Sequence, residues 1–65
     1  IMYTFIGIWG DARTPLDQTR ESEESAIRYA CWACEDWGKV EVYFNGALVG
    51  LAKGVSTGRP IWVSL

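Results

Sequence analysis

Cys31 and Cys34 make the one spacing in this chain that redox and metal chemistry both use, Cys-x-x-Cys. A reactive thiol pair of that kind opens a helix, where the positive end of the dipole favours thiolate. Here the pair falls well inside the segment that reads as helix, near the wrong end for that effect. A structural zinc takes four ligands, and the chain has two cysteines and no histidine. Only a symmetric dimer sharing two such motifs completes a four-cysteine site. Small apolar side chains that let a helix sit close to a sheet are the simpler reading, so no metal and no cofactor are expected and both thiols are expected to be reduced. The lack of histidine also removes Ser-His and Cys-His nucleophile systems. Asp11, Asp17, Glu35, Asp36 and Glu41 show no catalytic spacing. No catalytic residue is assigned, and the chain is not expected to be an enzyme.

Binding chemistry is better represented. Aromatic rings suit flat heterocycles, and arginine suits phosphate or carboxylate in bidentate geometry. Trp9, Arg13, Arg20, Arg59 and Trp62 are therefore the candidate ligand-binding residues. Arg13 and Arg20 lie in one loop, Arg59 in another, and Trp9 and Trp62 abut the two loops. The segment from Gly54 to Arg59 is glycine-rich but lacks the lysine and following helix of a phosphate-binding loop. It still offers backbone N–H groups and one guanidinium to an anion.

Ser22 to Trp37 is the convincing helix. Ala26, Ile27, Ala30, Ala33, Cys34 and Trp37 share one face, while Glu21, Glu24, Arg28 and Glu35 share the other. Trp32 lands among the charges, with Tyr29 at their margin. Leaving an indole in water forgoes roughly 2–3 kcal/mol of burial, so a partner subunit or ligand is expected to cover it. Ser22 or Thr19 suits the N-cap, Glu23 and Glu24 suit the positive end, Glu24 and Arg28 are spaced as an i,i+4 pair, and Gly38 suits the C-terminal cap.

Around the helix, Met2 to Trp9 reads as a strand largely apolar on both faces. Gly7, between Phe5 and Trp9, leaves a gap for a backbone or a flat ligand. Gly10 to Glu21 reads as one long loop. Lys39–Phe44, the turn dipeptide Asn45-Gly46 and Ala47–Ala52 read as a hairpin. A two-residue turn pairs Phe44 with Ala47, Val42 with Val49 and Val40 with Leu51 on the buried face. It sets Tyr43 beside Leu48 and Glu41 beside Gly50 on the other. After a loop from Gly54 to Pro60, Ile61 to Leu65 reads as a last strand, with Ile61, Val63 and Leu65 inward and Trp62 outward. The order β-α-β-β-β predicts an α+β two-layer domain over residues 1–65, one helix on a mainly antiparallel four-stranded sheet. Its second face is expected to show Tyr3, Phe5, Trp9, Tyr43, Leu48 and Trp62, too apolar for solvent.

Sixty-five residues carrying four tryptophans, three tyrosines and two phenylalanines have more aromatic surface than one thin core hides. A homo-oligomer is expected, with Tyr29, Trp32, Tyr43 and Leu48 as candidate interface residues. The net charge of −2 offers no basic stripe to a nucleic acid polymer. No apolar run approaches the ~20 residues of a membrane span, and no signal segment is evident. Met2 reads as the natural start, and a cytoplasmic location is expected. In style, though on no shared motif, the chain is similar to small accessory proteins of phages and mobile elements, which inhibit host factors or sequester signalling molecules. The expected function is non-catalytic: sequestering a small, flat, anionic, nucleotide-like ligand at or near the subunit interface. The alternative is an inhibitor or adaptor that docks an aromatic patch on a larger host protein.

Overall fold

The computed structural model describes residues 2–55 and 58–65. Its strands are β1 (Tyr3–Trp9), β2 (Ala12–Pro15), β3 (Lys39–Phe44), β4 (Ala47–Lys53) and β5 (Ile61–Ser64), and its helix is α1 (Glu23–Trp37). All strand pairs are antiparallel, in the order β2-β1-β3-β4-β5. The domain is α+β with the helix on one face of the sheet, and five strands replace the expected four. The additional strand lies in what reads as a long loop. Gly10-Asp11 is a two-residue hairpin turn with Trp9 opposite Ala12 and Gly10 at φ 62°. A glycine at the first turn position is a hairpin signature, although β2 is too polar and too exposed to announce itself by hydropathy.

Helix α1 starts where the backbone N–H of Ser25 donates to Ser22 Oγ at 3.2 Å. It stops at Gly38, whose φ of 83° permits its N–H to donate to the Cys34 carbonyl. Ala26, Ala30, Ala33 and Cys34 are buried against Phe5, Val40, Val42 and Ala52. The helix contributes small residues to the core and the sheet contributes larger ones. The Asn45-Gly46 turn forms as expected, with φ of 51° and 88°.

One irregularity redistributes the side chains. Tyr43 faces Leu48 and Phe44 faces Ala47 as the turn requires, but Val42 faces Gly50, leaving Val49 as the extra residue of a β-bulge. Beyond it, Val40 pairs with Ala52 and Glu41 with Leu51, in place of the expected partners Leu51 and Gly50. A one-residue slip exchanges the faces of everything that follows. Leu51 turns away from the helix, and Gly50 and Ala52 turn under it. Strand β5 inherits the change: Trp62 pairs with Ala52 and packs on the helix side, while Ile61 and Val63 point outward at 49% and 40% exposure. The expected outward Trp62 and inward Ile61, Val63 and Leu65 are thus reversed. Tyr3 and Phe5 likewise belong to the helix side, and Phe5 is fully buried.

Two indoles complete the helix-side layer by lying on glycines. A Cβ on Gly7 would stand 2.5 Å from Trp37 Cδ2, and one on Gly50 would stand 2.3 Å from Trp62 Cζ2. The gap at Gly7 is therefore filled by the chain's own Trp37. Gly7→Ala and Gly50→Ala are each expected to destabilise the fold by about 1–3 kcal/mol through overpacking, lowering the midpoint by several degrees in thermal melts followed by circular dichroism. An unchanged midpoint in both variants contradicts the stacking.

Candidate functional site

The connection from β2 to α1 runs beside the start of β1 and carries Arg20 to the flank of the helix. The Leu16 N–H donates to the Phe5 carbonyl at 3.0 Å, and Tyr3 and Arg20 exchange backbone hydrogen bonds of 2.8 and 3.2 Å. Anchored in this way, the Arg20 guanidinium lies 4.7 Å from the centroid of the Tyr29 ring, within cation–π range. It also donates to Gln18 Oε1 at 3.0 Å and to the Thr19 carbonyl at 2.8 Å. Tyr29 rests edge-on against buried Phe5, with centroids 4.6 Å apart, and Trp32 follows at 6.0 Å. The aromatic row thus begins in the core and ends at Trp32, which is 66% exposed.

Gln18, Arg20, Ser25, Arg28, Tyr29 and Trp32 line an open depression of about 640 Å³, within the size range of small-ligand sites. Arg28 reaches Glu24 at 3.5 Å, but both side chains are largely exposed. A surface pair of this kind is weak and leaves the guanidinium available. The depression therefore combines two ring faces with two guanidiniums, plus amide and hydroxyl groups for orientation.

Arg13 stands apart from it. On the sheet face away from the helix, its guanidinium donates to Glu41 Oε1 at 2.5 Å and to the Tyr43 hydroxyl at 3.2 Å, and that hydroxyl donates to the same carboxylate oxygen at 3.0 Å. The hydrogen bond from Arg13 holds the Glu41 carboxyl below its usual range, and Glu41 in turn raises Arg13. Arg13 is thus committed to an internal network. Trp9 and Arg59 do meet, at the far end of the helix, in a cleft shared with Glu35, Gly38 and Pro60. That end carries the negative pole of the helix, Glu35 and Asp36 lie in its last turn, and that turn has no basic residue. The cleft consequently disfavours an anion. The expected anion cradle from Gly54 to Arg59 includes Ser56 and Thr57, which lie outside the described residues. Trp62 covers Gly50 from the helix side.

The five candidate ligand residues thus separate: Arg20 joins the helix-flank depression, Trp9 joins Arg59, and Arg13 and Trp62 serve the sheet. The candidate interface residues separate as well, Tyr29 and Trp32 flanking the helix and Tyr43 and Leu48 lying on the opposite side of the sheet. Arg28, Gln18 and Ser25 enter the site without having been singled out in the sequence. Arg28 was legible, because Arg28 and Trp32 are i,i+4 neighbours on one helix face. Gln18 and Ser25 depend on the path of the connection, which no local pattern specifies.

Cys31 and Cys34 are both free and lie in the second half of α1. Cys34 Sγ lies 3.1 Å from the Cys31 carbonyl oxygen, an ordinary contact within the helix. Burial pushes both thiols up, which keeps them protonated at neutral pH. Among the described residues no group of three or more His, Cys, Asp or Glu is placed to hold a metal ion, and no helix is long and apolar enough to cross a membrane. Comparison with family models, with curated proteins and with solved structures finds no match to this chain.

The Glu41 network has a pH signature. Because the folded carboxyl titrates below the ordinary value of 4.5, its contribution to stability is present above that pH and is lost as pH falls through the depressed value. Melting midpoints of the native protein and of Glu41→Gln are expected to differ near neutrality and to converge under acid. A gap that stays constant from pH 7 to pH 3 contradicts this assignment.

Proposed function

We propose that the protein is a non-catalytic binding module that holds a small, flat, anionic ligand of the nucleotide type on the flank of α1. The observation that carries this reading is the convergence of Arg20, Arg28, Tyr29 and Trp32 around one open depression. A heterocycle stacks on exposed Trp32 beside Tyr29, and its phosphate or carboxylate is taken by the two guanidiniums through charge-assisted hydrogen bonds. Gln18 and Ser25 supply orienting polar groups. The six lining side chains include no carboxylate, histidine or cysteine, so the chemistry offered is recognition and sequestration.

The backing of the site favours this reading. Tyr29 is braced by Phe5, which is 1% exposed, so one wall is already rigid before a ligand arrives. Preorganisation of this kind reduces the ordering cost of binding. Trp32 and Arg28 are the adjustable parts.

Titration of the protein with nucleoside monophosphates, diphosphates and cyclic nucleotides, followed by tryptophan fluorescence and calorimetry, tests the proposal. Arg20→Ala, Arg28→Ala and Trp32→Ala are each expected to weaken affinity by roughly 10- to 100-fold with little change in melting midpoint. Arg13→Ala and Arg59→Ala are expected to bind as the native protein does. A native protein that binds nothing in the panel, or a loss confined to Arg59→Ala, overturns the assignment.

A further inference from the structure

We propose that the sheet face turned away from α1 is the interface between two copies of this chain, packed face to face with their strands antiparallel across a two-fold axis. The proposal is independent of the ligand site, since α1 and the sheet separate Trp32 from this face. In the middle of the face, Ile6, Leu51 and Val63 share one row with Glu41, because Ile6 pairs with Glu41, Glu41 with Leu51 and Leu51 with Val63. Ile8 and Ile61 extend the apolar surface on one side of that row and Leu48 on the other. Ile61, Val63 and Leu48 are 49%, 40% and 39% exposed. The result is flat, aliphatic and regular, which is what one sheet packs against another.

Three observations commit the face to a second copy. The first is its charge. The carboxylate at its centre is already satisfied by Arg13 and by the Tyr43 hydroxyl. Covering the middle of the face therefore strands no carboxylate, the condition under which a buried one is tolerated. The second is its asymmetry. Lys39 and Lys53 stand directly opposite each other at one end, in the row of Ile8 and Ile61, and among the described residues neither is ion-paired. The opposite end, formed by Thr4, Tyr43 and Leu48, carries no charge. A two-fold axis that runs the strands antiparallel sets each lysine pair over the partner's uncharged end. An axis that runs them parallel stacks lysine on lysine. Only the antiparallel orientation thus keeps the lysine pairs of two copies apart, and it leaves them at the rim of the sheet.

The third observation is area. Five strands at about 4.8 Å spacing and about 3.3 Å per residue make a face roughly 20 Å square, or about 400 Å² in projection. Side-chain relief makes the accessible area larger than this projection, and ordinary stable interfaces bury about 600–1,000 Å² per partner. Burying it turns two open α/β layers into a four-layer α-β-β-α sandwich.

Sedimentation equilibrium of the full chain at micromolar concentrations tests this. The native protein is expected to run at twice the 7.3 kDa chain mass. Ile61→Lys and Val63→Lys should each weaken association about 30-fold or more. Both positions are well exposed in the single chain, so circular dichroism should show an unchanged fold. Trp32→Ala should leave the subunit number unchanged, which separates this outcome from failure of the ligand site. A single-chain mass for the native protein, a dimer indifferent to both lysines, or a dimer broken by Trp32→Ala instead overturns the proposal.

Discussion

One helix has to cover five strands. A helix with its side chains is about 10–12 Å across, whereas the outer strands of a five-stranded sheet stand about 19 Å apart. The flanks left over must be closed by something other than helix, and this chain closes them with aromatic rings. Trp37 lies on Gly7, Trp62 lies on Gly50, and Tyr29 leans on Phe5. The aromatic content that looks excessive for a thin core is largely explained by this geometry. It also explains the small residues of α1. Ala26, Ala30, Ala33 and Cys34 bring the helix axis low over Val40, Val42 and Ala52, and a low helix allows rings at its sides to reach the sheet.

The bulge at Val49 is the second decision. Without it Val49 and Leu51 would take the places opposite Val42 and Val40 on the helix side. With it, Gly50 and Ala52 take those positions, and Trp62 gains a flat seat. Leu51 emerges on the other face together with Ile61 and Val63, while Val49 still packs against the core. An apolar outer face is thus a consequence of fitting the inner one. The protein needs only one helix for itself, and leaves a regular aliphatic surface that a second sheet can match.

Electrostatics assign the arginines to different tasks. Arg13 is bound into the Glu41 and Tyr43 network and neutralises the one carboxylate in the middle of the outer face. Arg59 sits where the helix dipole and Glu35 already make the surroundings negative. Arg20 and Arg28 flank the ring row beside the middle of the helix, where Glu24 is the only salt-bridge partner among the described residues and an exposed one. The guanidiniums thus occupy three different surroundings, although loop arginines look interchangeable in the sequence.

Local chemistry determined much of this protein. Ser22 and Gly38 bound the helix, Asn45-Gly46 makes a hairpin, the alanine and cysteine stripe faces inward, and Trp32 faces outward, each through a preference expressed within a few residues. Arg28 was legible beside Trp32 for the same reason. Gly10-Asp11 was a readable turn too, although β2 after it has no hydrophobic alternation to show. The tertiary structure alone decided the register past Val42, and with it the side of the sheet taken by Leu51, Trp62, Ile61 and Val63. It alone brought Arg20 onto Tyr29 and sent Arg13 to Glu41. A period-two strand pattern is equally satisfied by either face, and a guanidinium at the end of a long side chain has no local preference for its partner. Only the depth available beneath one helix, and the path of the chain into it, distinguishes the alternatives.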